Sequence, residues 1–120
     1  MTPLGNHLKS LRTERNITQK EMAQALGVSP AYLSALEHGK RGKPSWAFLQ
    51  RIVGYLNVIW DDAEELQNLA RLSDPKITID TSDLSSQATE TANMLAIHID
   101  SLSENDLAKI SGLIKASAKT

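Results

Sequence analysis

The sequence predicts an all-α protein in which a domain of five helices is followed by a short extended segment and a C-terminal helical hairpin. Apolar residues recur three and four positions apart along most of the chain, which is the period of an amphipathic helix. Residues 76–81 instead alternate polar and apolar side chains, as a strand or an extended tether does. We therefore expect a helical domain over residues 1–72, an extended linker or short strand over 73–86, and a helical region over 87–118.

Two short helices bent around Gly27 form the most informative part of the chain. Thr18, with a glutamate three residues later, has the spacing of a capping box at the start of the first of them. Gly27 follows its end, where only glycine adopts a positive φ at little cost. Ser29 and Pro30 then supply an N-cap and a first-turn proline for the second helix. The pattern predicts helices that end near Leu26 and Glu37.

Three more amphipathic helices flank this pair. The first should end near residue 15, the fourth should span about 45–55, and the fifth should run from about 58 to 72. Their apolar stripes consist of Leu4, Leu8, Leu11, Phe48, Leu49, Ile52, Val53, Leu66 and Leu69. With the central pair they complete a five-helix domain.

Residues 19–38 resemble the helix-turn-helix of the Cro-type, or lambda-repressor-like (XRE), family of transcriptional regulators. Ala23 stands at the small crossing position, Gly27 in the turn and Leu33 in the core. The resemblance extends over roughly residues 4–69. It implies a lambda-repressor-like DNA-binding domain whose second motif helix lies in the major groove.

The resemblance also implies a structural ion pair between the first helix and the end of the recognition helix. The matching positions here are Arg12 and Glu37. Two unrelated surface charges are the alternative. If the residues pair, removing Glu37 should destabilise the domain because a partly buried guanidinium would lose its partner.

The charge distribution favours DNA binding by the first part of the chain. Residues 1–51 contain eight basic and three acidic side chains, a net charge of +5, whereas the remainder carries −6. Phosphate contacts are expected at the start of the second helix and around the loop after the third, namely from Thr18, Gln19, Lys20, Lys40, Arg41, Lys43, Ser45 and Trp46. A merely solvated charged surface is the alternative. If each protomer neutralises roughly three or four phosphates, a dimer should show a log–log salt slope near −6.

Base contacts are expected from the outward residues of the recognition helix, which are Ser29, Pro30, Ala31, Tyr32, Ser34 and Ala35. The family often carries Gln, Asn, Arg or Lys at these places, and this chain has none there. We expect the apolar members to contact thymine methyl groups and the hydroxyls to form single hydrogen bonds, with DNA shape adding selectivity. Packing of Tyr32 against the fourth helix is the alternative for that residue.

The C-terminal region is predicted to dimerise. Its apolar positions, spaced for helix–helix packing, are Ala88, Ala92, Leu95, Ile99, Leu102, Leu107, Ile110 and Ile114. Ser103 should N-cap the last helix. Two such helices bury too little surface alone, so we expect the same region of a second subunit as partner. Folding back onto the DNA-binding domain is the competing interpretation, and residues 76–81 are either an intersubunit strand or a tether.

The composition argues against catalysis, a cofactor and a membrane location. His7, His38 and His98 are scattered, without a zinc, nucleophile-elbow or phosphate-loop motif. The carboxylates at 61–62 and 64–65 are explained by a helix N-terminus. No cysteine, signal peptide or apolar run long enough for a membrane span is present. We expect a cytoplasmic protein that binds no metal or cofactor.

Three functions fit these patterns. The first is a dimeric transcriptional regulator, most simply a repressor, which reads inverted repeats with half-sites about 34 Å apart. The second is the antitoxin of a toxin–antitoxin pair, which binds its toxin through the C-terminal region and represses its own operon. The third is a protein-interaction module that has lost DNA binding, against which the basic residues argue. We expect control by abundance, oligomerisation or a protein partner rather than by a small-molecule inducer.

Overall fold

The structure, a computed structural model, describes residues 1–41 and 44–118, and of Trp60 only the backbone. Its helices are α1 (Pro3–Glu14), α2 (Gln19–Leu26), α3 (Pro30–Glu37), α4 (Trp46–Leu56), α5 (Trp60–Arg71), α6 (Ser86–His98) and α7 (Glu104–Ser117), with a 3₁₀ turn at Ile99–Ser101. These residues contain no β-strand, and the predicted all-α class is confirmed.

Helices α1 to α4 begin at side-chain caps, whereas α5 begins after Ile59 without one. Thr18 Oγ1 accepts from the Glu21 amide at 3.1 Å, and a Glu21 carboxylate oxygen accepts from the Thr18 amide at 3.2 Å, which completes the expected capping box. Ser29 and Ser45 cap α3 and α4 in the same way. Helix α1 is N-capped by Thr2 and has a proline as its first residue, a Thr-Pro pair that is typical of a helix start.

One hydrophobic core holds α1 to α5 together. Helix α1 packs against α3 and α5, α2 packs against α3 and α4, and α4 packs against α5. The buried apolar side chains are Leu4, Leu8, Leu11, Met22, Ala23, Leu26, Leu33, Leu36, Phe48, Leu49, Ile52, Leu56, Leu66 and Ala70. Burying one leucine side chain stabilises the fold by about 1.5–3 kcal/mol. A core of this size therefore holds α2 and α3 in a fixed orientation relative to the other three helices.

Two contacts hold α1 in place, a close approach to the backbone of α3 and a hydrogen bond to the side chain of Ser73. A Cβ built on Gly5 would lie 2.5 Å from the carbonyl oxygen of Glu37, so the absence of a side chain lets α1 approach the end of α3. The buried hydroxyl of Ser73 accepts a hydrogen bond from the amide of Leu4 at 2.9 Å and donates to the carbonyl of Leu69. The hydroxyl therefore ties the start of α1 to the end of α5.

The chain divides into two compact units, Met1–Ile77 and Thr78–Thr120. The division falls inside the segment expected to be a linker or short strand. Residues 76–81 adopt no regular secondary structure in this chain. In the second unit, Ser82 donates two hydrogen bonds to the Asp80 carboxylate, and these lower the pKa of Asp80.

The second unit contains α6 and α7. The apolar positions from Ala88 to Leu102 were expected to lie on one continuous helix, but the helix is interrupted after His98. Helix α6 ends at His98, so Ile99 begins the 3₁₀ turn and Leu102 follows it in an extended conformation. The Ser101 hydroxyl donates to the His98 carbonyl at 2.9 Å, which offers that carbonyl a partner outside the helical ladder. Ser103 then caps α7 through the Asp106 amide, as predicted.

Neither α6 nor α7 contains a buried residue. Of the predicted dimerisation residues, six are half-buried, namely Ala88, Ala92, Leu95, Leu102, Leu107 and Ile110. Ile99 and Ile114 are exposed, as are Met94, Ile97 and Leu113. This unit thus leaves much of its apolar surface accessible to solvent.

Candidate nucleic-acid interface

The turn between α2 and α3 has the geometry expected of a helix-turn-helix. Gly27 ends α2 with φ of 72°, in the left-handed region, and the Val28 amide donates to the Ala23 carbonyl at 3.0 Å. Arg51 of α4 adds a contact that spacing alone did not reveal, because its guanidinium donates to the Leu26 carbonyl at the end of α2. The turn is therefore held both by its own backbone hydrogen bond and by the side chain of Arg51 from α4.

A buried ion pair connects α1 to α3. Arg12 Nε lies 2.8 Å from Glu37 Oε2, and Arg12 Nη2 lies 3.0 Å from Glu37 Oε1. The Glu37 side chain is fully buried, whereas that of Arg12 is 11% exposed. The hydrogen bonds that Arg12 donates to this carboxylate raise the pKa of the Arg12 guanidinium. The two residues that the resemblance paired thus form a bidentate contact.

The same carboxylate also holds the start of α2. Gln19 Nε2 donates to Glu37 Oε1 at 2.9 Å, while Arg12 Nη1 donates to the carbonyl of Ile17 just before α2. The Gln19 side chain, which was expected to contact phosphate, therefore instead forms a hydrogen bond within the protein. Its backbone amide remains at the first position of α2, where helical hydrogen bonds do not reach.

The outward side of α3 is small and weakly polar. Ser29, Pro30 and Ala31 are exposed, whereas Ser34 and Ala35 are half-buried. Ser29 Oγ accepts from the Tyr32 amide at 3.1 Å, so this hydroxyl caps the helix and retains its own proton for donation. These side chains lie together on a surface that a major groove could approach closely.

The side chain of Tyr32, on α3, contacts both Phe48 of α4 and Arg41 of the following loop. Its ring meets the ring of Phe48 edge-on, with centroids 5.7 Å apart and planes at 76°. The guanidinium carbon of Arg41 lies 5.5 Å from the centre of the Tyr32 ring. The structure thus contains the contact with α4 that was the alternative for this residue, and it adds a cation that sequence spacing did not predict.

The remaining candidate phosphate contacts lie at both ends of the motif. Thr18 and Lys20 are exposed at the start of α2, and Lys40 and Arg41 are exposed after α3. Lys43 lies outside the described residues. The positive helix end and these cations make the surface attractive to anions.

The start of α4 completes this surface. Ser45 Oγ accepts from the Phe48 amide at 3.2 Å and so serves as the helix cap. Trp46, the first residue of α4, is 65% exposed. Phosphate contacts commonly use such helix starts, which leaves both residues as candidates.

Among the residues that the structure describes, no three or more His, Asp and Glu side chains are arranged to hold a metal ion. None of the helices described in this chain has the length and apolar character needed to cross a membrane.

A comparison with protein-family models matches residues 3–72 to a helix-turn-helix domain family. The match spans the whole of α1 to α5, together with the Arg12–Glu37 pair and the loop after α3. It therefore includes every candidate DNA-contacting residue named above.

Curated relatives match the same part of the chain. It is 36% identical over 62 residues to the HTH-type transcriptional regulator RghRB of Bacillus subtilis (strain 168), covering 52% of this chain and 45% of that protein. It is 36% identical over 61 residues to the HTH-type transcriptional repressor RghR of the same organism, covering 51% and 45%. The matched part thus spans about half the length of these relatives.

Among solved structures, the chain is similar to the crystal structure of the master regulator for biofilm formation SinR in complex with DNA. The sequences are 30% identical, and the match covers 53% of this chain and 97% of that one, with a TM-score of 0.48.

Proposed function

This chain belongs to the lambda-repressor-like (XRE-type) helix-turn-helix family, and from that membership we propose that it is a sequence-specific DNA-binding transcriptional regulator. We further propose that it is a repressor that binds an inverted-repeat operator as a homodimer. The observation that carries the proposal is the α2–turn–α3 unit, fixed by Gly27 and the Arg12–Glu37 pair, with cations at both ends of its outward surface.

The proposed DNA face consists of the start of α2, the outward residues of α3 and the loop cations Lys40 and Arg41. In this proposal, the backbone amides at the start of α2 and the loop cations contact phosphates on either side of a groove. Arg12, Glu37 and Gln19 support this arrangement because their hydrogen bonds join α1, α2 and α3. The DNA face is thereby preorganised, so that binding requires little additional ordering.

Base selection on this face should rely on close contact more than on bidentate hydrogen bonds. Pro30, Ala31 and Ala35 are suited to thymine methyl groups, and the hydroxyls of Ser29 and Ser34 are suited to single hydrogen bonds. With no amide or cationic side chain among the outward residues of α3, DNA shape and deformability should supply part of the specificity. We expect A·T-rich half-sites.

The C-terminal unit supports the homodimer. Its two helices contain no buried residue and expose several large apolar side chains. A second copy of the same unit would cover this surface with two-fold symmetry, and two linked DNA-binding units would then occupy two half-sites. The repressor RghR is a relative with the matching DNA-binding part, which favours repression by occupancy of a promoter.

Selection of binding sites from randomised duplex DNA tests the proposal. The full chain should enrich an inverted repeat, and its affinity for that repeat should fall with a log–log salt slope near −6 if each protomer neutralises roughly three or four phosphates. Replacing Lys40 and Arg41 with glutamine should weaken binding and flatten the slope. The matched control replaces Lys109 and Lys115 of α7 with glutamine, which removes the same charge far along the sequence and should leave the slope unchanged.

Two results would contradict the proposal. Enrichment of no sequence, with equal affinity for all duplexes, would exclude a sequence-specific regulator. A full chain that stays monomeric in light scattering and binds only a single half-site would exclude the homodimer, and the C-terminal unit would then serve a different protein, as in the antitoxin alternative.

A further inference from the structure

We propose that Tyr32 is a positioning residue which holds the guanidinium of Arg41 in place for its contact with DNA phosphate. The inference rests on the proposed function and assigns Tyr32 a role other than base reading. The inference is based on a row of four side chains, called the stack below, in which each contacts the next: Arg41, Tyr32, Phe48 and Arg51. It runs from the loop after α3 across α3 to α4.

The inner end of the stack is rigid. Phe48 belongs to the hydrophobic core and is largely buried. The guanidinium carbon of Arg51 lies 5.9 Å from the centre of the Phe48 ring, and the same guanidinium donates to the Leu26 carbonyl at the end of α2. Phe48 is therefore fixed by the core and by a cation that is itself anchored, and the edge-on contact transmits this order to the Tyr32 ring.

The outer end of the stack is the cation of the DNA face. Arg41 is exposed and follows α3 in a loop, where a long side chain would otherwise sample many rotamers. Its guanidinium lies over the Tyr32 ring, whose electron-rich face attracts a cation. A cation–π attraction requires none of the five N–H donors of the guanidinium, so these can still donate to a phosphate.

This placement predicts that Arg41 acts as a preorganised donor and that Lys40, its neighbour in the chain, acts mainly as a charge. A cation–π contact at an exposed site contributes about two- to five-fold in an equilibrium constant. The contact should form before DNA arrives, so part of the affinity supplied by Arg41 should depend on the ring of Tyr32.

A double-mutant cycle on the full chain, titrated with its selected duplex, tests the inference. Arg41→Gln is measured in the wild type, in Tyr32→Phe, which retains the ring, and in Tyr32→Leu, which removes it. The loss caused by Arg41→Gln should be similar in the first two backgrounds and about two- to five-fold smaller in Tyr32→Leu. The matched control is Lys40→Gln, whose cost should be the same in all three backgrounds.

A second readout examines the free protein. The ring current of Tyr32 should shift the side-chain protons of Arg41 upfield in the NMR spectrum, and the shift should persist in Tyr32→Phe and disappear in Tyr32→Leu. Circular dichroism at the titration temperature verifies that each variant is folded, so that a packing defect is not mistaken for lost positioning.

The outcomes separate this inference from the proposed function. If the wild type binds its duplex but the cost of Arg41→Gln is the same in Tyr32→Leu, the positioning role is wrong and the regulator stands. If the wild type binds no DNA, both are wrong, whatever the NMR spectrum shows. Coupling between Arg41 and Tyr32 together with the upfield shift supports both.

Discussion

The Glu37 carboxylate accepts hydrogen bonds from Arg12 and Gln19 in a site where the glutamate is only 1% exposed. Glu37→Ala should lower the free energy of unfolding by about 3–5 kcal/mol, because it leaves a partly buried guanidinium without its partner. Thermal or urea denaturation measures the loss.

Glu14→Ala is the matched control for that variant. Glu14 pairs with Arg15 only at 4.0 Å, and its side chain is 70% exposed, so its removal should change stability by less than about 0.5 kcal/mol. Equal melting temperatures for the two variants would show that the buried pair does not stabilise the domain.

Replacing Gly5 of α1 with alanine should lower the stability of the domain, whereas replacing Gly54 of α4 with alanine should raise it. In Gly5→Ala the new Cβ would lie 2.5 Å from the Glu37 carbonyl and 2.6 Å from that of Leu36, so α1 must move away from α3 and stability should fall. In Gly54→Ala no described atom beyond the neighbouring residues and the nearby backbone of α4 lies within 4 Å of the new Cβ, and helix propensity should raise stability by about 0.5–1 kcal/mol. Stabilisation by Gly5→Ala would show that the close approach is not required.

Ser73 carries the connection between helices α1 and α5. Ser73→Ala would leave the buried Leu4 amide without its acceptor and should lower the free energy of unfolding by about 1–3 kcal/mol. Ser101→Ala removes an exposed hydroxyl that bonds within the 3₁₀ turn, and its effect should stay within about 0.5 kcal/mol. Hydrogen exchange at the Leu4 amide, faster only in Ser73→Ala, locates the effect.

The bounds of α2 and α3 could be predicted from the sequence because local chemistry determines them. Thr18, Ser29 and Gly27 act within a few residues of where they stand, and the structure places each at the predicted cap. The early end of α6 could not be read in this way. Ile99 continues the helical spacing, so the periodicity conceals the 3₁₀ turn that follows His98.

The contacts that organise the candidate interface were less predictable because they join residues distant in sequence. Arg51 on Leu26 and Arg41 over Tyr32 leave no periodic trace. The engagement of Gln19 by Glu37 likewise depends on how α2 meets α3. The sequence indicated which surface is the candidate DNA face, whereas packing determines which side chains on it are already held.

For the molecule as a whole, dimerisation should depend on the apolar side of α7. Ile114 is exposed in this chain, and Ile114→Glu should dissociate the dimer because a carboxylate would be buried at the interface. Ala116 is exposed on the same helix and lies about 180° from Leu107 around it, so Ala116→Glu is the control and should remain dimeric. Light scattering on the full-length variants measures the mass, and a dimeric Ile114→Glu would contradict this interface.

The central claim is that the α2–α3 unit with Lys40 and Arg41 forms the surface that meets DNA, and chemical-shift mapping of the full chain with its selected duplex tests it most directly. The claim predicts the largest amide shifts at residues 18–20, 29–35 and 40–41, with smaller changes along α5 and α7. The largest shifts on α5 or α7, or none in the α2–α3 unit at saturating duplex, would contradict it.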